Sequence, residues 1–191
     1  MRGLLDRVRK LLITDVLQIG GETQTDASLE IHGVALTASA TELNRAADVS
    51  DRLVAGGSAL SLTQALHDGK TVLFDTAAGT TLTLPAATGS GARFRCVVSV
   101  TATSNSHKVQ CVGDDIMQGS IMNIDTDTSD ATKAFATEAD SDTVTFNRTT
   151  SGACVPGDWV EFEDILADVW AVRGTVQATG VVITPFSAAV S

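Results

Sequence analysis

The apolar and polar positions of this chain fall into two textures. Over the C-terminal two thirds, short runs alternate with period two, as strands with one buried face do. The clearest run is GDWVEFEDILADVWAVRGTV at 157–176, where Val160 and Phe162 oppose Trp159, Glu161 and Glu163, and Trp170 and Val172 oppose Val169, Ala171 and Arg173. Two such runs joined through Leu166, Ala167 and Asp168 predict an antiparallel hairpin, with no Asn-Gly signal to fix its turn type. Trp159 and Trp170, the two tryptophans of a chain without tyrosine, are expected to lie near one another across it. Further strands are expected at 71–74, 80–84, 92–100, 108–112, 120–124 and 143–147. Eight short strands with no helical pattern between them predict a mainly β fold, an antiparallel β-sandwich or jelly roll. No fixed-period repeat is apparent.

The front of the chain reads differently. Leu4, Leu5, Val8, Leu11 and Leu12 recur at helical spacing, with Asp6, Arg7, Arg9 and Lys10 on the other side. About three turns of helix are marginal alone, so this segment is expected to order when its leucine stripe meets another surface. Residues 13–19 and 29–36 alternate as short strands. Ser39 with Glu42 forms a capping box that opens a short helix to about 48, and Gly56, Gly57 and Ser58 read as a hinge. Residues 1–57 therefore read as an N-terminal arm with short helices, and 58–191 as a β-sandwich head domain.

Charge sharpens this division. The 191 residues carry a net charge of −10, with 23 acidic against 13 basic side chains, which argues against a nucleic-acid surface. Residues 1–10 run the other way: Arg2, Arg7, Arg9 and Lys10 against Asp6 give +3, so the remainder carries −13. A basic end on an acidic body predicts docking to an acidic partner surface through Arg2, Leu4, Leu5, Arg7, Val8, Arg9, Lys10, Leu11 and Leu12. The segment is too short, and too poor in aromatic anchors, for a membrane role.

Candidate chemistry is sparse. Cys96, Cys111 and Cys154 cannot all pair within one chain and show no CxxC spacing, which predicts a reducing site of synthesis, and Cys96 and Cys111, each inside an apolar run, are expected to be buried thiols. The loop 125–130, DTDTSD, alternates oxygen ligands as a Ca²⁺ loop does, but Asp130 stands where such loops need glycine and Ala136 where they need glutamate, so a solvated loop is expected. His32, His67 and His107 are scattered, and no nucleophile elbow surrounds any serine. Gly89 and Gly91 read as a hairpin turn. Glu161 and Glu163 share a strand face at about 7 Å, a spacing superficially suited to glycoside chemistry but common on solvated strands. The chain reads as non-catalytic, without a cofactor or metal centre.

Several phrases resemble the head decoration (cement) or head fibre proteins of tailed bacteriophages. They are VALTASATELNRAADVSDRLV, LFDTAAGTTLTLPAATGSGARFRCVVSVTATSNSHKV, DIMQG and PGDWVEFEDILADVWAVRGTVQATGVVITPFSAAVS, together covering most of 34–191. The resemblance implies a β-rich virion protein assembled in the host cytoplasm. It would bind the major capsid protein on the capsid exterior, self-associate as a homotrimer and grip the shell with its arm. A fibre or receptor-binding module recognising host glycans is the alternative.

Overall fold

The computed structural model describes residues 52–190 and the short stretches 30–31, 34–35, 37–39 and 42–44. The chain divides into two units, 1–49 and 50–191. In the first, β1 (Glu30–Ile31) pairs antiparallel with β2 (Val34–Ala35), so the single strand expected at 29–36 is two very short ones. The capping box is present: Ser39 N–H and Oγ each donate to Glu42 Oε2 at 2.7 Å, and Glu42 N–H donates back to Ser39 Oγ at 3.2 Å. The strand expected at 13–19 lies outside the described residues.

The second unit is mainly β. Its elements are β3 (Leu53–Ala55), β4 (Ala59–Ser61), a one-turn helix α1 (Gln64–His67), β5 (Thr71–Phe74), β6 (Thr81–Thr83), β7 (Arg93–Val98) and β8 (His107–Gln110). After these come β9 (Ile116–Asp125), β10 (Lys133–Ala136), β11 (Thr143–Phe146), β12 (Trp159–Leu166), β13 (Val169–Ala178) and β14 (Phe186–Ser187). They form a seven-stranded sheet, β10-β9-β13-β12-β7-β5-β3, and a five-stranded sheet, β14-β11-β8-β6-β4.

Both sheets are mixed, which corrects the expectation of antiparallel pairing. From β3 to β8 the chain steps back and forth between the sheets. Each step lays a strand parallel to the one placed before it in that sheet: β3, β5 and β7 in the larger, β4, β6 and β8 in the smaller. The glycines read as a hinge are the corner of the first coil. Gly56 is buried, its N–H donates to Leu73 O at 3.1 Å, and a β-carbon there would press on that carbonyl and on Thr80 Cγ2. The loop holding Gly89 and Gly91 is likewise a crossover, because β6 and β7 belong to different sheets. Residues 53–55, assigned to the arm by their sequence, are the edge strand of the larger sheet.

The predicted hairpin is β12–β13. Its register matches Phe162 with Val172 and Glu161 with Arg173, and it closes through Ala167 and Asp168, the latter at φ 63°. Trp159 and Trp170 do not meet. Trp159 pairs with Thr175 while Trp170 pairs with Asp164, so the two indoles stand on opposite faces of the sheet. Trp170 packs on Phe94 with ring centroids 5.6 Å apart. Side chains of both sheets share one core, Val72, Phe94, Val160 and Phe162 from the larger and Leu82, Val109 and Val144 from the smaller. Phe74 joins them, edge-on to Phe146 at 6.3 Å and stacked on His107 at 4.8 Å. Each fully buried large apolar side chain contributes about 1.5–3 kcal/mol relative to exposure.

Candidate functional site

The residues expected to grip a partner, Arg2, Leu4, Leu5, Arg7, Val8, Arg9, Lys10, Leu11 and Leu12, lie outside the described residues. His32 does too.

Among the described residues, the outward face of the seven-stranded sheet carries the densest set of interacting side chains. Period-two alternation sends Val160, Phe162 and Asp164 inward and Trp159, Glu161 and Glu163 outward, and strand register lines the outward set up in rows. In one row Arg95, Glu161, Arg173 and Ser120 stand side by side across β7, β12, β13 and β9. Arg173 donates to Glu161 Oε1 from Nε at 3.0 Å and from Nη2 at 2.5 Å, and Arg93 Nη2 donates to Glu163 Oε1 at 2.6 Å. The glutamate pair is thus spent on arginines. Exposed ion pairs of this kind contribute about 0–1 kcal/mol each, so their main effect is to fix a pattern of charge. The next row is apolar except at Thr175: Leu73, Val97, Trp159, Thr175 and Met122 cross five strands in register. Arg95 lies over the Trp159 ring, its Cζ 5.0 Å from the centroid, a cation–π contact that joins the two rows.

The buried ionisable groups hold the fold together. Asp164, 2% exposed, accepts the N–H groups of Gly89, Thr88 and Ser90 at 2.7, 3.0 and 3.0 Å and the hydroxyls of Ser90 and Thr88 at 2.6 and 3.2 Å. Burial alone would push its carboxyl up, yet the hydrogen bonds from Ser90, Thr88 and Gly89 outweigh it and bring the carboxyl down to about 2. Asp142 ties down the C-terminal end by accepting Ala189 N–H at 2.8 Å and Val190 N–H at 3.0 Å, and Asp115 accepts Ala87 N–H at 2.7 Å. Asp158 accepts from the backbone and side chain of Gln177, but here burial prevails and pushes the carboxyl up. None of these was singled out from sequence. The one available signal was parity: Asp164 shares the inward positions of its strand with Val160 and Phe162.

The two described histidines, His67 and His107, are also structural. His107 accepts Thr80 N–H at Nδ1 and donates from Nε2 to Val100 O at 2.8 Å, which fixes a neutral ring, and burial lowers its pKa. His67 Nδ1 accepts Thr63 N–H at 2.9 Å. In the loop 125–130 the carboxylates bond to nearby N–H groups and a lysine: Asp125 accepts the N–H groups of Asp127 and Asp130, Asp127 accepts that of Ser129, and Asp130 takes Lys133 Nζ and Val182 N–H. No three His, Cys, Asp or Glu side chains converge for a metal ion among the described residues. A cleft of about 240 Å³ between β10 and β14 is lined by Phe135, Glu138, Asp140, Ser141, Thr184 and Phe186. Phe186 is only 8% exposed and Phe135 is partly buried against the core, so the cleft offers a sugar little stacking surface.

Burial pushes the Cys111 thiol up to about 12 and that of Cys96 higher still; Cys154, half-buried, is raised less. The thiolate is the reactive form. A thiol reagent at pH 8 should therefore modify Cys154 alone in the native protein and all three cysteines in denaturant, as counted by mass spectrometry.

Comparison with protein-family models, with curated proteins and with solved structures found no match.

Proposed function

We propose that the chain is a non-catalytic structural protein of a phage particle, a decoration protein bound to the outside of the capsid. The observation that supports its non-catalytic half is that the buried aspartates and histidines of the β body accept hydrogen bonds from that body's own backbone, as groups that hold a fold together do. The capsid half rests on the phrases of 34–191 that resemble head decoration proteins and on the basic, leucine-striped residues 1–12. In this reading the two sheets are the layers of a sandwich-like head that self-associates, and the front of the chain contacts the major capsid protein. Many copies on one particle offset modest affinity at each site. The glycan-binding alternative is the weaker reading, because the cleft between β10 and β14 lacks an exposed aromatic platform.

Deleting residues 1–12 should abolish co-sedimentation with purified capsids and leave the melting of the β body unchanged. A truncated protein that still saturates capsids would refute the assignment.

A further inference from the structure

We propose that the outward face of the seven-stranded sheet is a self-association surface that pairs with the same face of a second copy of this chain about a two-fold axis. This rests on the reading of the chain as a self-associating body, puts a two-fold pairing in place of the three-fold one that the resemblance implies, and names the surface responsible. Three observations select the face and its occupant.

The first is composition. Its largely apolar row, Leu73, Val97, Trp159 and Met122 with Thr175 among them, runs outward across five strands, with Met122 47% exposed and Trp159 half-buried at its middle. The seven strands, spaced about 4.8 Å, make the face about 29 Å wide. Tryptophan, methionine and arginine are the residue types that interfaces concentrate.

The second is charge. A surface shaped for a partner of opposite charge carries one sign, whereas here the row Arg95, Glu161, Arg173 alternates, with Arg93 and Glu163 alternating beside it. A partner with the same alternation fits such a row, and another copy supplies it.

The third is register. An axis running parallel to the strands between β12 and β13 keeps each row on itself and exchanges β12 with β13 and β7 with β9. Glu161 of one copy then faces Arg173 of the other, Trp159 faces Thr175, and Val97 faces Met122. Arg95 faces Ser120 and Arg93 faces Gln118, so no like charges meet. The pairing is isologous, which gives assemblies of even copy number.

Sedimentation equilibrium of the full chain over a range of concentrations tests this. The expected result is a reversible species of two, or an even number of, copies. Met122→Glu, at an exposed position, should weaken the association at least about tenfold while the variant keeps the circular dichroism spectrum of the folded chain, and Trp159→Ala should weaken it likewise. Trp170 is fully buried, so a concentration-dependent blue shift of fluorescence should come from Trp159 and vanish in Trp159→Phe. A chain that stays monomeric, a three-copy species, or variants that associate like the wild type would each overturn the proposal. So would loss of association on deleting residues 1–12 with the face intact. Capsid co-sedimentation reads attachment separately, so failure here would leave the decoration reading standing.

Discussion

Gly119→Ala should lower the melting temperature by about 10 °C, the largest loss expected from any single methyl group added to the β body. Gly119 lies in β9, in parallel register with Val172 of β13, at φ 150°. A β-carbon there would drive into the Val172 carbonyl oxygen and lie 2.9 Å from the carbonyl carbon and 3.1 Å from the amide nitrogen of the same residue. All three are backbone atoms of a neighbouring strand, which no side-chain rotation can clear. The strand must separate, or the backbone must leave a conformation that alanine rarely adopts at a cost of about 1–3 kcal/mol. Lost pairing beside it raises the total to about 4 kcal/mol, and for a domain of this size each kcal/mol shifts melting by about 2–4 °C. Gly113→Ala is the control. Gly113 has φ 56° with nothing within 4 Å of the added methyl, so it should cost only about 1 kcal/mol of left-handed strain. Equal melting curves for the two variants would show that the approach of β9 to β13 is not what Gly119 protects.

The same positions show what was legible in the sequence. Strands with one face in the core announce themselves by period two, so β12 and β13 are found almost to the residue, with Phe162 and Val172 facing inward. Pairing direction is not encoded in that period. The coils from β3 to β8 are parallel, but register partners lie 18 residues apart from Leu53 to Thr71 and then 24 apart from Thr71 to Arg95. With no constant spacing there is no repeat to detect. The two-residue strand β14 escaped because Phe186 and Ser187 form no alternating run, and Gly56 looked like a hinge because a glycine forced by close packing has the same letter as one that permits flexing. The outward face was half legible. Glu161 and Glu163 were correctly set on one side of their strand, but their arginine partners lie on neighbouring strands, and only the register of β7 and β13 brings Arg93 and Arg173 beside them.

The aspartates explain why composition alone overstated the acidic surface, and Asp164 gives the second large effect. Asp164→Ala should destabilise the body by about 3 kcal/mol, because it leaves the N–H groups of Thr88, Gly89 and Ser90 without the acceptor that holds the crossover loop against the hairpin. Asp164→Asn should cost nearly as much, since an amide presents one acceptor oxygen where the carboxylate presents two. The pH dependence separates this electrostatic clamp from mere packing. The folded carboxyl sits at about 2, below its value in the unfolded chain, so the folded state binds its proton later. The resulting stability, about 2 kcal/mol from a depression of just under two units, is fully present above about pH 4 and is lost as pH falls toward 2. Denaturant unfolding between pH 6 and pH 2 should therefore show the gap between wild type and Asp164→Asn narrowing as acid is added. A gap that stays constant down to pH 2 would mean that Asp164 acts by its shape, and that the three N–H groups gain nothing from its charge.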